Sequence, residues 1–331
     1  MVTEESMVKT TLKEAFLQSP GPDNVQQGAA LWGKGLCMGA ADIVPGVSGG
    51  TVAFITGIYE ELVDAIRSFD LNFVRNLVQL KFAEALSGVH LRFLLCLLLG
   101  VVSAIVSMAQ LIHYLLAEHP VEIWSLFFGL IAASIYVVGK QIDPMDQATA
   151  GCIIIGAIVT YFLVDMIPVS TPETLGFVFL CGAIAICAMI LPGISGAFLL
   201  LMLGKYEYVT GALKNPFVAD NAIIIIVFIA GACVGIVVFS RVLHYLLHRW
   251  HAFTIAVLTG FMIGALRKVW PWKETVESTI IRGKEYILRQ ENVLPDAFTS
   301  MVAFDAALMI AGAAVVLLLD RVSRSEKSDA V

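Results

Sequence analysis

Long apolar stretches separated by short polar segments occupy most of the chain, and their lengths predict helices that cross a membrane. Such a helix needs about 20 mostly apolar residues. Six stretches meet that length, and two more carry a Pro-Gly break near the middle, which predicts broken helical hairpins. The predicted spans are 93–116, 121–138, 149–168, 219–247, 252–270 and 302–319, and the predicted hairpins are 29–64 and 175–213.

Four segments between or beyond these stretches are polar or mixed. Residues 1–28 predict a polar cytoplasmic N-terminus, 321–331 a cytoplasmic tail, and 271–300 an extracytoplasmic loop. In 65–90, apolar residues recur at helical spacing with basic residues between them, which predicts an amphipathic helix on the cytoplasmic membrane face. Anchoring at the interface is the favoured role of that helix, and lipid recruitment is the alternative.

The Pro-Gly break belongs to a motif that occurs twice. Pro45–Gly49 reads PGVSG and Pro192–Gly196 reads PGISG, and the residue numbers differ by 147. The later spans repeat at a difference of 131, as in the matching His-Tyr-Leu-Leu runs that begin at His113 and His244. Further pairs at the first difference are Gly35 with Gly182, Gly57 with Gly204, Tyr59 with Tyr206 and Glu60 with Glu207.

Each half of the chain therefore contains a broken hairpin followed by three spans. Repeat 1 covers 29–168 and repeat 2 covers 175–320. A hairpin plus three spans crosses the membrane an odd number of times, whether the hairpin is re-entrant or fully spanning, so the second half is predicted to be inverted. The predicted fold is an all-α polytopic membrane protein with an inverted-topology repeat, an architecture typical of transporters. A duplicated scaffold without a transport role is the alternative.

Composition agrees with this class and excludes others. The chain is 58% hydrophobic and 15% charged, whereas soluble domains are about a quarter charged. No basic patch interleaved with aromatic residues suggests a nucleic-acid partner. The six cysteines lie in apolar runs without CxxC spacing, and no catalytic or nucleotide-binding motif is present. We therefore expect no catalytic residue, metal or cofactor, and the protein is not predicted to be an enzyme.

The distribution of basic residues predicts the orientation. Lys and Arg residues are concentrated in segments that lie on one side if the N-terminus is inside. Cytoplasmic loops carry such an excess in membrane proteins. Both termini are therefore predicted to be cytoplasmic.

The two motifs combine helix breaks with small and hydroxyl residues. Ser48 is a favoured helix N-cap, and the helix after it offers free N–H groups and a positive dipole end to an anion. Gly49 and Gly50 allow a phosphate to approach the backbone, and Thr51 adds a hydroxyl nearby. Ser195 and Gly196 repeat the device in the second half, so the two tips are predicted to form one phosphate site. Simple packing of the two hairpins is the alternative.

Charged residues inside apolar stretches are further candidates, because burying them is costly. Asp42 precedes the first break and matches Met189 in the second copy, which makes the tips chemically unequal. Together with Glu60 and Glu207, which are paired by the repeat, Asp42 is a candidate for proton coupling. The alternative for the two glutamates is a capping role at the membrane interface.

Arg241 stands where the first repeat has Gln110. A guanidinium is a planar, permanently charged partner for phosphate. Two placements are open for Arg241: the interior of the bundle beside the tips, or the cytoplasmic headgroup level with His248 and Arg249.

The first motif in its context is specific enough to compare with a known family. The run from Gly35 to Thr51, continuing through Gly57–Glu60, and the second motif Leu191–Gly196 resemble the signature of a bacterial membrane family. That family was formerly a domain of unknown function and is associated with undecaprenyl-phosphate translocation of the PopT type. The resemblance covers about 30–320.

The resemblance implies a flippase of the bacterial cytoplasmic (inner) membrane. It would return the C55 polyprenyl phosphate lipid to the inner leaflet for reuse in peptidoglycan and other envelope glycans. Its partners would be that lipid and the membrane lipids, and homo-oligomerisation is left open. An ion-coupled transporter of a small soluble anion is the alternative function.

Overall fold

The computed structural model describes residues 12–44, 47–164, 171–281, 284–295 and 297–329. Helices joined by short turns make up nearly all of this part of the chain, together with one two-stranded sheet. The first half contains α1 (Leu12–Gln18), α2 (Val25–Asp42), α3 (Gly49–Ile55), α4 (Tyr59–Arg67), α5 (Leu71–Val78), α6 (Phe82–Ser87), α7 (Leu91–Glu118), α8 (Pro120–Gly139) and α9 (Gln147–Leu163). The second half contains α10 (Leu175–Ile190), α11 (Gly196–Met202), α12 (Tyr206–Lys214), α13 (Ala219–Arg249), α14 (His251–Val269), β1 (Lys273–Ile281), β2 (Lys284–Asn292) and α15 (Ser300–Asp329).

The lengths of these helices confirm an all-α polytopic membrane protein. Five helices, α7, α8, α13, α14 and α15, are long and apolar enough to cross a membrane. The remaining predicted span, 149–168, corresponds to α9, which has 17 residues. Its last predicted residues, 165–168, lie outside the described part of the chain. Single residues, His119 and Trp250, join α7 to α8 and α13 to α14, so these neighbours run in opposite directions.

The first hairpin, α2 to α4, turns back toward the end of the bundle where it starts. Arg92, at the beginning of α7, donates to the Ser19 carbonyl at 2.7 Å, just before α2 begins. After the break, α4 ends beside the same place, where the His90 N–H donates to Ser68 Oγ at 3.4 Å. Both ends of the hairpin therefore lie at the start of α7, which is the re-entrant arrangement.

The second hairpin, α10 to α12, follows the same path. Thr171 lies just before α10, and Leu203 directly follows α11. The Thr171 hydroxyl nevertheless donates to the Leu203 carbonyl at 2.5 Å. Val178 near the start of α10 and Ala212 near the end of α12 lie in one buried cluster. This hairpin also returns to the end from which it starts.

Helix pairing is the same in the two halves. Each first hairpin arm packs on the span that follows its hairpin, α2 on α7 and α10 on α13. The remaining spans exchange partners between halves, because α8 packs on α15 and α9 packs on α14. This pattern is the one an inverted repeat would give, and the inversion itself stays a prediction.

Two segments differ from their predicted form. The single amphipathic helix expected at 65–90 is the end of α4 followed by α5 and α6. Asp70 interrupts it, because its carboxylate accepts the Phe73 N–H at 2.8 Å and caps a new helix, and Leu80 has a φ of 57°. The expected loop at 271–300 contains the antiparallel β1–β2 pair, tied to α14 by Trp270 Nε1 donating to the Val293 carbonyl at 2.9 Å.

The start of α9 depends on a capping box that predicts a measurable acid sensitivity. Asp146 Oδ1 accepts the Thr149 N–H at 2.8 Å, and the Asp146 N–H donates to Thr149 Oγ1 at 2.9 Å. These hydrogen bonds hold the pKa of the Asp146 carboxyl below its ordinary value. Because the folded-state pKa is depressed, the stabilisation is present above about pH 4 and is lost as pH falls through the folded pKa.

We expect Asp146→Ala to lower the thermal unfolding temperature of the detergent-solubilised protein at pH 7. Asp146→Asn keeps an acceptor oxygen and should stay close to wild type at pH 7. The Asn variant should also lose less stability than wild type between pH 5 and pH 3. Equal melting of the Ala and Asn variants at pH 7 would contradict this role for the cap.

Candidate functional site

The two hairpin breaks meet inside the bundle through hydrogen bonds. The Ser48 hydroxyl lies 3.1 Å from the Leu191 carbonyl and 3.2 Å from the Met189 carbonyl, and can donate its proton to either. Thr51 Oγ1 accepts the Gly193 N–H at 3.1 Å. Ser48 of the first tip therefore donates a hydrogen bond to the backbone of the second tip, and Thr51 accepts one from that backbone. Pro45 and Gly46 lie outside the described residues.

The first helix donors at this tip are bonded within the protein. The Gly49 N–H donates to Asp42 Oδ1 at 2.7 Å, and the Gly50 N–H donates to Ser48 Oγ at 3.1 Å. The Asp42 carboxylate thus occupies the position in which a phosphate oxygen was expected. Since Ser48 and Thr51 are also almost fully buried, phosphate binding at this tip stays a prediction that requires the contacts to open.

The second tip is built differently. Ser195 precedes α11 as its N-cap but makes no side-chain cap hydrogen bond. Gly196 packs within its own hairpin, where a Cβ atom would meet the Ala185 carbonyl and the Met189 side chain. Among the described residues, the hydrogen bonds between the tips come from Ser48 and Thr51 and not from Ser195.

Of the three acids proposed for proton coupling, the structure brings only Asp42 to the tips. Glu60 is exposed at the start of α4, and its Oε1 lies 3.2 Å from His251 Nε2. Glu207 is exposed at the start of α12. Both glutamates lie in the first turn of a helix, and the alternative for them, a capping role at the membrane interface, stays a prediction.

Arg241 is grouped with His248 and Arg249, as in the second of its two predicted placements, and its position at the cytoplasmic headgroup level stays a prediction. It lies away from the tips, near the end of α13, and lines a cavity together with His248 and Arg249. The first hairpin contributes Asp64 and Arg67 to the same cavity. The structure therefore separates the polar residues into a central contact between the tips and a basic pocket at one end of the bundle.

Sequence reasoning missed two features of these hairpins. Lys205 is only 2% exposed, and its Nζ donates to the Thr171 carbonyl at 2.8 Å. The repeat could have indicated it, because the matching residue of the first half is Ile58. The second feature is the contact of Asp64 with His244, and no sequence signal joins two residues so far apart in the chain.

Comparison with known proteins finds a family model and two named relatives that each match most of the chain. Residues 38–286 match the model of the VCA0040-like family, described as undecaprenyl phosphate translocase-like. A protein of Vibrio cholerae serotype O1 named polyprenyl-phosphate transporter is 42% identical over 299 residues, which are 87% of this chain and 94% of that protein. A protein of Staphylococcus aureus with the same name is 29% identical over 253 residues, 72% of this chain and 84% of that protein.

No solved structure matches the chain significantly. The family match covers most of the chain, and both relatives are matched over most of their own length. The names of the family and of its members are those of membrane transporters of a lipid carrier. The chain therefore belongs to the VCA0040-like, undecaprenyl phosphate translocase-like family.

Proposed function

We propose that this protein is a flippase that returns undecaprenyl phosphate from the outer to the inner leaflet of a bacterial cytoplasmic membrane. The recovered lipid would serve again in the synthesis of peptidoglycan and other envelope glycans. Both termini would lie in the cytoplasm, and transport would proceed without a catalytic residue or cofactor. The names of the family and of the two relatives support the substrate.

The observation that carries the proposal is the contact between the two hairpin breaks. A phosphate headgroup that crosses the apolar interior needs polar partners there, because an unpaired polar or charged group in hydrocarbon is very costly. The tips offer two hydroxyls, of Ser48 and Thr51, and the N–H groups of Gly49 and Gly193. In the structure each of these groups has a partner within the protein, which avoids the cost of leaving it unsatisfied: Gly193 N–H bonds to Thr51, Gly49 N–H to Asp42, and the Ser48 hydroxyl to a backbone carbonyl of the second tip.

Substrate entry would exchange these internal hydrogen bonds for bonds to the phosphate. Asp42 would have to leave the Gly49 N–H or take up a proton, because two anions cannot share that donor. This requirement favours Asp42 over Glu60 and Glu207 as the residue that couples a proton to transport.

The proposal predicts that Ser48→Ala combined with Thr51→Val slows transport at least tenfold. The double variant removes two hydrogen bonds to a charged group, each worth about 1.5–3 kcal/mol. The measurement is the flipping rate of a fluorescent polyprenyl monophosphate in proteoliposomes, read as protection from a membrane-impermeant quencher.

Ser107→Ala is the matched control, because Ser107 is exposed on α7 and, in the part of the chain that the structure describes, its hydroxyl donates only to the Ser103 carbonyl of the same helix. Its rate should equal that of wild type. A wild-type rate in the double variant would remove the tips from the transport path. Faster movement of a soluble phosphate than of the lipid would favour the small-anion alternative instead.

A further inference from the structure

A basic pocket opens between the first hairpin and the end of α13. Its volume is about 1070 Å³, and we call it the α4–α13 pocket. Three arginines and three histidines line it: Arg67, Arg241, Arg249, His90, His244 and His248. Asp64 and Asp70 also line it, so the permanent positive charges outnumber the carboxylates.

The pocket contains a connected chain of three side chains. Arg67 Nη1 lies 2.6 Å from His244 Nε2, and His244 Nδ1 lies 2.5 Å from Asp64 Oδ1. A guanidinium has donors and no acceptor. Arg67 must therefore donate to Nε2, which leaves the His244 proton on Nδ1, where it is donated to Asp64. These bonds hold α4 against α13 and fix the wall of the pocket.

Arg67 is linked to the Asp64 carboxylate through His244, and the other two arginines differ from it. In the part of the chain that the structure describes, neither Arg241 nor Arg249 forms an ion pair with a carboxylate. Asp70 faces Arg241 at longer range. The pKa of the Asp70 carboxyl is lowered by the hydrogen bond from the Phe73 N–H and, more weakly, by the positive charge of Arg241. Two guanidiniums are thus available to a ligand with several acceptor oxygens.

Comparison of the two repeats shows that the fold does not require this chemistry. Three basic positions of α13 match uncharged or acidic residues of α7, whereas His244 matches His113. The cationic side chains at these three positions are therefore not part of the repeated pattern. The pairs are Arg241 with Gln110, His248 with Ala117, and Arg249 with Glu118.

An apolar strip of the same helix borders the pocket. Val238, Val242 and Tyr245 are spaced by one helical turn, and 56%, 49% and 56% of their surfaces are exposed. Tyr245 also lines the pocket itself. In a membrane protein such a strip faces lipid, so a ligand whose charged head lies in the pocket can lay an apolar tail along α13.

From this geometry we propose that the α4–α13 pocket binds the phosphomonoester headgroup of the transported lipid at the membrane face where α13 ends. Arg241 and Arg249 bind the phosphate oxygens, and His248 adds a hydrogen bond. The inference rests on the proposed function and extends it, because it adds a headgroup site distinct from the hairpin tips. Inorganic phosphate shares the headgroup chemistry but lacks the tail that would contact the strip.

A bound metal ion is the competing use of part of this cluster. Ligand atoms of Asp64, His244 and His248 lie within 4.8 Å of one another. However, both ring nitrogens of His244 are already engaged, by Arg67 and by Asp64. The Arg67 guanidinium would also stand beside a cation. An anion is therefore the favoured ligand, and the metal is an outcome to be tested.

The test compares binding by the wild-type protein and by the double variant Arg241→Gln, Arg249→Gln. The full-length protein in phosphatidylcholine nanodiscs is titrated calorimetrically with a C15 isoprenyl monophosphate, the C15 alcohol, inorganic phosphate and Zn²⁺, with empty nanodiscs subtracted. Glutamine is chosen because the first repeat carries Gln110 at the position of Arg241. Arg75→Gln is the matched control, since Arg75 is exposed on α5 and does not line the pocket.

We expect the double variant to bind the isoprenyl phosphate at least tenfold more weakly than wild type, and the Arg75 variant to bind it normally. Thermal unfolding should be the same in all three proteins. The alcohol and inorganic phosphate should bind more weakly than the isoprenyl phosphate. An unchanged Kd in a folded double variant overturns the proposal, as does equal binding of the alcohol or of inorganic phosphate.

Zinc binding that requires His248, together with isoprenyl phosphate binding that is insensitive to both arginines, would identify a metal site and overturn the proposal. Transport separates this inference from the proposed function. If wild-type proteoliposomes fail to flip the isoprenyl phosphate, the proposed function fails. If they flip it and the double variant does so at the same rate and with the same Kd, only the assignment of the pocket fails.

Discussion

Replacing Gly50 with alanine is expected to reduce polyprenyl phosphate transport about tenfold. A Cβ atom at this position would meet the Ile190 carbonyl oxygen and would lie 3.2 Å from the Met189 carbonyl oxygen. Both obstacles are backbone atoms of the second hairpin, so a side-chain rotation cannot relieve the contact. Overpacking of this kind costs about 1–3 kcal/mol, and 1.4 kcal/mol corresponds to a factor of ten. The substitution would destabilise the closed contact between the tips by this free energy, and transport steps that pass through the closed contact would become slower.

Intrinsic helix propensity alone predicts the opposite effect of Gly50→Ala, so the experiment separates the two explanations. Alanine favours a helix over glycine by about 1 kcal/mol, so Gly50→Ala should stabilise α3 if the contact with the second hairpin did not matter. Gly33→Ala is the matched control, because Gly33 lies in α2 of the same hairpin and a Cβ atom there meets nothing within 4 Å. We expect normal flipping in the control, and normal flipping in Gly50→Ala would show that the tips need not approach this closely.

Substitutions of Asp42 are expected to separate a structural role from a coupling role. Asp42→Ala leaves the buried Gly49 N–H without its acceptor, and an unsatisfied buried donor costs about 1–3 kcal/mol. Both the thermal stability and the transport rate should fall. Asp42→Asn retains an acceptor oxygen, so the stability should remain near wild type, whereas transport should lose its response to an imposed proton gradient.

The measurement is the flipping rate in proteoliposomes with and without a pH difference across the membrane. Glu84→Gln is the control for removal of a carboxylate, because Glu84 is exposed on α6 and its one ion pair among the described residues is with Lys81 at 3.5 Å. An Asp42→Asn protein that still responds to the gradient would restrict Asp42 to capping α3 and would exclude it from coupling.

The positions of the elements could be predicted from the sequence because each element has a local cause. The apolar stretch of α13 is long enough by itself to identify a spanning helix. The two PGxSG breaks were predicted because proline and glycine interrupt a helix wherever they occur. The prediction of a single helix at 65–90 was wrong. The apolar residues keep their helical spacing across Asp70, but the Asp70 side chain caps a new helix there.

The placement of polar side chains was predicted less completely. The sequence left Arg241 with two placements, since a long helix can carry the same residue in the bundle or at its end. The structure decided for the end of α13 because α4 packs there and supplies Arg67 and Asp64. The pairing of Asp42 with Gly49 could not be read from the sequence either, since it depends on the angle at which α2 and α3 meet.

The sequence by itself determined the membrane class, the internal repeat and the two broken hairpins, because hydropathy, repetition and helix-breaking residues act over short distances along the chain. Only the tertiary structure decided that both hairpins turn back within the bundle and that their tips hold each other through Ser48 and Thr51. It also decided that Arg67 of α4 lies in one pocket with Arg241 and Arg249 of α13. These features depend on contacts between residues far apart in the chain, which no local pattern of side chains specifies.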